Sequence, residues 1–466
     1  MIKLPKEVVE LMKKFKESKF QIYVVGGAVR DTLLNKPVDN WDFTTNATPE
    51  QILKMFPDAF YNNVYGTVTV PIKNEQSNNL PAGRQGETMK QLLFEITPFR
   101  KESGYSDLRH PEKIEWAKTI EEDLSRRDFT INSMAFDGSI IIDPYKGMDD
   151  LKNKLIKAVG EPDKRFNEDV LRLLRAIRFT SQLGFLIEDK TRESIQKNAL
   201  LIAKISWERI RDEFLKILNS DHPAEGIFFL KSTGLLSYIL PEVDVCFTIP
   251  QKSPKRHHIY DVGTHLVMAL KHCPSKDLIT RFATLIHDIG KAKTFYKDEK
   301  TDLITFYNHE VVGKRQAEKI ADRFKLSNKQ KDKLVTLVAE HQFTVSEDQT
   351  DKAVRRFIRG VSKEYLNDML DLRTADRIGS GATPTSWRTE LFKKRLEEVQ
   401  KQPFQIKDLK IDGNDVMKIL KIKPGPKIGE VLKDLFDQVV EGKLKNTKKI
   451  LIEEVEKLAL KQFTTL

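Results

Sequence analysis

The stretch Tyr23 to Thr45, YVVGGAVRDTLLNKPVDNWDFTT, constrains the fold more tightly than any other. A short apolar run stops at two glycines, and helical spacing then carries Val29, Arg30 and Leu33-Leu34 onward, which predicts a buried strand, a tight turn and a helix. Gly26 and Gly27 leave the backbone bare at the helix start, where an anionic group can approach the amide N–H donors. Arg30 adds a planar donor fork suited to phosphate oxygens. Taken alone, a Gly-Gly step is more often a plain strand-to-helix turn. The acidic residues downstream change the balance. After Pro37 the chain runs Asp39-Asn40-Trp41-Asp42-Phe43, and alternation along a strand puts residues 40 and 42 on one face, with Trp41 and Phe43 on the other. Two oxygen ligands on one face can hold Mg²⁺, which accepts a few protein oxygens and completes its shell with phosphate oxygens.

GGAVRD, the acidic strand and then Thr45, Ala47, Pro49 and Glu50 in the pattern T-x-A-x-P-E together resemble the class II tRNA nucleotidyltransferases. These are the CCA-adding enzymes, with the bacterial poly(A) polymerases related to them. The resemblance implies a metal on Asp42. It also exposes a departure, because the family's first aspartate falls on Asn40. Asparagine offers a carbonyl oxygen without charge, and a β-bulge turning Asp39 onto the metal face would be the alternative.

The length of 466 residues implies about three or four domains, and 39% hydrophobic residues suffice for real cores. A formal net charge of +11 is consistent with a polyanionic partner, although much of the lysine falls on helical solvent faces such as KKFKESK. No apolar run approaches a membrane span, and the N-terminal MIKLPKEVVELMKKF reads as an amphipathic helix rather than a secretory signal. Cys246 and Cys273 form no framework and suit a reducing cytoplasm.

Tyr65 to Ile72 and Leu92 to Thr97 read as paired strands around a polar hairpin insertion containing SNNLPAGRQG. Glu95, flanked by Phe94 and Ile96, should point away from those apolar neighbours. An exposed strand glutamate is the plain reading, and the resemblance makes it the second carboxylate of the metal site. Arg100 to Pro111 reads as a mobile loop and resembles the family's flexible loop. EEDLSRRDFTINSMA matches a second family motif, which implies that Arg126 and Arg127 face the triphosphate or primer, while Asp128 and Asn132 suit ribose hydroxyls.

A further helix is expected to begin near Asn167, with Asp169 and Arg172 sharing a face opposite Phe166, Val170, Leu173 and Ile177. By spacing alone an ion pair between Glu168 and Arg172 is favoured. EDxxR is also the family's nucleotide-selecting motif, in which a carboxylate and a guanidinium together read the edge of C or A. Arg175 continues the same helix toward the nucleotide. A second constellation comprises His265, the adjacent His287-Asp288 before Ile-Gly-Lys, and Asp376, and it resembles the HD phosphohydrolase superfamily. A second divalent metal would sit there, and His309 and His341 are additional candidates. Whether this part hydrolyses phosphoesters or serves as a tRNA-binding body stays open.

The fold expected is α+β, with a nucleotidyltransferase head of mixed sheet and helices (1–158). A helical neck (159–225), an HD-type helical body (226–395) and a helical tail (396–466) come after it. The resemblance implies metal-dependent, template-independent addition of C, C and A to the 3′ end of tRNA from CTP and ATP. A poly(A) polymerase, a phosphohydrolase working through the HD site, and an RNA-binding protein that has lost transfer are the alternatives.

Overall fold

A computed structural model describes residues 2–61, 66–72, 92–104, 113–252, 259–400, 406–440 and 443–463. The SNNLPAGRQG insertion lies outside them, as does 105–111 of the expected mobile loop. The chain divides into two compact units, Met1–Val245 with Arg323–Lys325, and Cys246–Asp322 with Leu326–Leu466. The break therefore falls inside the segment assigned from sequence to the body.

The first unit is built on a seven-stranded sheet. Helix α1 (Lys6–Glu17) precedes β1 (Ile22–Val25), α2 (Gly27–Leu33), β2 (Asp42–Thr45) and α3 (Pro49–Met55). Strands β3 (Phe60–Tyr61), β4 (Val68–Ile72) and β5 (Leu92–Pro98) come next. A separate ribbon of β6 (Arg100–Ser103) and β7 (Lys113–Trp116) leads to α4 (Ile120–Ser125), and β8 (Ala135–Phe136) and β9 (Ile141–Ile142) complete the strand order β3-β4-β5-β2-β1-β8-β9. Part of the loop expected over 100–111 is thus a paired ribbon, with Arg100 opposite Trp116 and Ser103 opposite Lys113. Arg100 and Lys101, charged residues that suggested a loop, sit on a short two-stranded element with solvent available to their side chains.

Alternation along the strands sorts the sheet into two faces. Ile22, Val24, Phe43, Phe94 and Ile96 join Val8, Leu11, Met12 and Phe15 of α1 in one core, which confirms the amphipathic reading of that helix. Tyr23 and Val25 point the other way, toward Phe99, Ile120 and Leu124. The same opposite face carries Asp42 and Glu95, because β2 and β5 pair in parallel with Asp42 in register with Glu95. Glu95 is exposed between buried Phe94 and Ile96, as its strand position predicts. β2 begins only at Asp42, so strand alternation does not extend back to Asn40.

Beyond the sheet come α5 (Gly147–Lys152), α6 (Pro162–Glu168), α7 (Arg172–Leu183), α8 (Asp189–Asn198) and α9 (Trp207–Leu218). The helix expected to start near Asn167 and carry both Asp169 and Arg172 is instead two. Asn167 lies in the last turn of α6, Asp169 is extended (φ −140°, ψ 105°), and Arg172 opens α7. The Asp169 carboxylate accepts a hydrogen bond from the Leu171 amide at 3.1 Å, a local closure that competes with helix continuation. Phe166, Val170, Leu173 and Ile177 are all buried regardless, so the apolar stripe holds across the break.

Among its described residues the second unit is helical apart from a two-stranded pair, Tyr296–Lys297 with Ile304–Thr305. Its C-terminal helices Gly413–Leu420, Pro426–Val440 and Lys448–Phe463 enclose their own cluster around Val416, Leu435 and Leu451. Among the described residues no helix is long and apolar enough to cross a membrane.

Phe43 is 1% exposed, packs on Phe94 with ring centroids 5.3 Å apart, and comes directly after Asp42. Phe43→Ala should cost the first unit about 3–5 kcal/mol. Denaturant unfolding monitored by tryptophan fluorescence checks this, and a loss below about 1 kcal/mol would mean that the core under β2 is not what fixes that strand.

Candidate active site and a second acid-histidine cluster

A cavity of about 750 Å³ opens at the end of β1. Gly26, Gly27, Arg30, Asp39, Asn40, Asp42, Arg126, Arg127, Asp128, Asn132, Asp169, Arg172 and Arg175 all line it, so residues from four stretches of sequence converge on one space. Glu95 stands one strand over, as the register partner of Asp42.

Gly26 turns the chain with φ 68° and ψ −129°, a conformation that L side chains rarely adopt. A Cβ there would also lie 2.9 Å from Arg127 Nη1. Glycine is thus required both for the turn and for the guanidinium resting over it. Arg30 lines the cavity while tied to protein partners: its Nε and Nη2 each donate to Asp31 at 2.8 Å, and Nη1 donates to Asn132 Oδ1 at 2.6 Å, so its fork also braces α2 against residue 132.

The other arginines are held by buried acids. Asp123, wholly buried in α4, accepts from Arg126 Nη2 at 2.8 Å and from Arg127 Nη2 at 3.3 Å. Burial alone would push its carboxyl up, but Arg126 and then Arg127 outweigh burial and hold it below the usual range. Sequence reasoning missed this anchor. The spacing of three and four residues along one helix was the available signal. Asp128 Oδ2 accepts from Arg175 Nε at 2.8 Å and Nη2 at 2.6 Å, while Oδ1 accepts from Asn132 Nδ2 at 3.2 Å. Burial opposes its ionisation, and Arg175, then Arg172, overrides it, leaving the carboxyl well below its ordinary value.

Arg172 forms the ion pair that spacing favoured, with Nη1 2.9 Å from Glu168 Oε2, and it also donates to the carbonyls of Arg165 and Arg126. Three of its five N–H groups are used in this way. Asp169 lies 3.3 Å from Arg209 Nη2. Arg178, passed over in sequence as ordinary helix, also lines the cavity. It pairs with Glu213 at 3.1 Å, and burial, with Arg175 nearby, lowers its pKa to about 10.

Asp42 stands at the rim. Crowding by protein raises its pKa, Arg127 pulls it down, and Glu95 pushes it up again. Two acids side by side, with Asp39 and Asn40 lining the same cavity, form an oxygen-rich donor set of the kind a hard divalent cation takes. The β-bulge weighed as an alternative is not how Asp39 arrives. Residues 39–41 precede the strand as loop.

In the second unit His265, His287, Asp288 and Asp376 converge, with ligand atoms all within 4.8 Å of one another. His265 and Asp376 come from two helices and His287-Asp288 from the turn that ends a third, brought together at glycines. A Cβ on Gly379 would meet Ala269 N at 2.7 Å, and one on Gly290 would meet His309 O at 2.0 Å. His265 Nε2 lies 3.4 Å from Asp288 and 3.3 Å from Asp376. Burial works against a charged His287, but Asp288 and then Asp376 lift it to about 10. Lys291, the lysine of the Ile-Gly-Lys that follows His287-Asp288, contacts Asp288 Oδ2 at 2.6 Å.

Known proteins share this organisation. Residues 22–157 match the Poly A polymerase head domain, 184–247 the probable RNA and SrmB-binding site of polymerase A, and 296–455 a tRNA nucleotidyltransferase domain 2. The CCA-adding enzyme of Ligilactobacillus salivarius is 32% identical over 459 residues, covering 97% of this chain and 96% of that enzyme. The chain belongs to the CCA-adding enzyme family. The CCA-adding enzyme of Enterococcus faecalis is 30% identical across 97% of the chain and 96% of its own length. The Bacillus stearothermophilus CCA-adding enzyme, solved in complex with CTP, matches with a TM-score of 0.69 at 26% identity over 99% of both chains.

The ion pair of Asp128 yields a pH prediction. A carboxyl depressed on folding contributes its stability above the unfolded value of about 4 and loses it as pH falls toward the folded value. Asp128→Asn should therefore cost the first unit roughly 3 kcal/mol at pH 7. The gap to the parent should narrow progressively below about pH 4. Urea unfolding at several pH values reads this, and a gap independent of pH would show that the carboxylate charge is not its source.

Proposed function

We propose that this chain adds C, C and A to the 3′ end of tRNA, using CTP and ATP and no nucleic-acid template. The observation that carries the reading is Asp42 in register with Glu95 beside a cavity walled by tethered arginines. In the transfer the terminal 3′ hydroxyl oxygen bonds to the α-phosphorus, and pyrophosphate departs with its charge.

Asp42 and Glu95, with Asp39 or Asn40 supplying a further oxygen, would hold Mg²⁺. When bound, the ion polarises phosphate oxygens and neutralises the leaving pyrophosphate. The remaining work belongs to the chain. Arg127, seated over Gly26 and tied to Asp123, presents a fixed cation to the polyphosphate at the start of α2, and Arg126 shares the same tether. Arg30 holds Asn132, and Asn132 with Asp128 forms the polar wall on which a ribose would rest. Asp169 accepts from an exocyclic amine of C or A, and the two Arg172 N–H groups outside its protein bonds donate to a ring nitrogen or carbonyl. Arg175, bidentate on Asp128, fixes that acid and keeps its own charge at the cavity wall. The division into head 1–158, neck 159–225, body 226–395 and tail 396–466 goes with this reading, the later segments binding tRNA. A chain with two cysteines and no disulfide framework suits a cytoplasmic setting.

The second unit supports a second activity. Histidines and acids converging at His265, His287, Asp288 and Asp376 suit a divalent ion of the HD phosphohydrolase type and hydrolysis of a phosphoester.

Offered tRNA ending before CCA, the protein should extend it by two residues with CTP alone, by none with ATP alone, and by three with both. Open-ended extension with ATP alone would instead identify a poly(A) polymerase. Asp42→Ala should reduce incorporation by about 10³-fold or more while tRNA affinity holds. Incorporation near the parent rate would remove Asp42 from the chemistry.

A further inference from the structure

Phe179 lies in α7, lines the cavity of the first unit and is only 5% exposed. Helical periodicity reads such a residue as core, and Phe129 does seat it, meeting its ring at 82° with centroids 5.7 Å apart. The remaining neighbours are not apolar. Three guanidinium carbons stand over the ring, that of Arg178 at 4.4 Å from the centroid, Arg30 at 5.1 Å and Arg175 at 5.4 Å. All three arginines line the same cavity.

Each of these cations also has its own acid. Asp31 holds Arg30 at 2.8 Å, Asp128 holds Arg175 at 2.6 Å and Glu213 holds Arg178 at 3.1 Å. The acids sit on α2, on the bend after α4 and on α9, so by themselves they draw the guanidiniums toward three different elements. The Phe179 ring is the contact the three share. Like charges this close repel, and burial first, then Arg175 and further down Arg30, work against the charge of Arg178. An aliphatic side chain would fill the same volume without attracting any of them, whereas the negative face of an aromatic ring attracts each cation. With so little of the ring exposed, it has no face left on which a nucleobase could stack.

We propose that Phe179 is a positioning residue for nucleotide addition, its ring holding Arg30, Arg175 and Arg178 as one cationic wall that receives the phosphates of the incoming nucleoside triphosphate. The inference rests on the nucleotide-transfer reading given above. Phe179 itself touches neither base nor phosphate and acts through the arginines. Without the ring each guanidinium follows its own acid, and the triphosphate must gather them on arrival, a cost that falls on binding. An arginine-phosphate contact present both before and during transfer contributes uniform binding, so its loss raises KM and leaves kcat nearly unchanged.

The test replaces Phe179 in the full chain with mono-, di- and trifluorophenylalanine, which withdraw charge from the ring face while altering its size little. Equilibrium dialysis gives the affinity for labelled CTP, and addition to tRNA ending before CCA gives KM and kcat. The CTP dissociation constant and KM should rise stepwise along the series, reaching roughly 10-fold with three fluorines, while kcat stays within about twofold and circular dichroism is unchanged. Inorganic triphosphate, competing with CTP, should weaken in the same order, which assigns the effect to the phosphates. Phe179→Leu should bind CTP at least as poorly as the trifluoro variant. Affinity indifferent to fluorination overturns the proposal even where Phe179→Leu binds poorly, because the ring would then act by packing alone. A fall in kcat at constant affinity, or weaker CTP with unchanged inorganic triphosphate, overturns it as well. CTP binding that weakens along the series in a protein that adds nothing to tRNA would support the ring's hold on the arginines and overturn the nucleotide-transfer reading instead.

Discussion

Parallel pairing of β2 with β5 sets two carboxylates, Asp42 and Glu95, directly beside one another on the open face of the head sheet. Like charges opposed across strands destabilise a sheet, so the pairing needs compensation from elsewhere. Core packing supplies the mechanical part, since Phe43, Phe94 and Ile96 on the reverse face lock the register that keeps the acids adjacent. Arg127 supplies part of the electrostatic compensation by drawing the Asp42 pKa down, and a bound cation would supply the remainder. The glycine turn, the tethered arginines and the loop before β2 are arranged around this anionic edge.

Opposite the acids, the cavity wall shows a common device. Each arginine is committed to a partner: Arg126 and Arg127 to Asp123, Arg172 to Glu168, Arg175 to Asp128, Arg178 to Glu213. A loose guanidinium would lose rotamer freedom when it met a phosphate, whereas a tethered one has lost that freedom on folding. The arrangement favours a fixed site that discriminates by where its donors already point. A protein that selects nucleotides without a template has that requirement, because the pocket alone must do the reading.

Much of the head was legible because its signals are local. The run ending at Gly26-Gly27, the alternation around Glu95 and the helical stripe of α1 each depend on a few neighbouring residues, and each appears in the structure. Where the reading failed, a contact between distant or competing groups decided the matter. Asp169 breaks a helix by bonding the Leu171 amide, a choice that helical periodicity does not register. Asp31 and Asn132 take three of the Arg30 N–H donors at the cavity wall, partners that the local pattern did not name. Asp123 looked like one more acid in a charged helix until burial set it apart. In the second unit the histidines were visible one by one, but their convergence on Asp288, His309 and His341 as well as His265 and His287, depends on packing at Gly290 and Gly379 that no local pattern encodes.

The proposed nucleotide addition rests on the acidic edge of the head gripping a divalent ion next to a nucleotide. Electron paramagnetic resonance of Mn²⁺ measures this directly in the full chain, with His265→Ala and His287→Ala present to reduce uptake by the second unit and CTP supplied. An ion should bind in the presence of CTP and be lost when Asp42→Asn and Glu95→Gln are added. Mn²⁺ binding unchanged by that pair of substitutions would contradict the role given to the two acids.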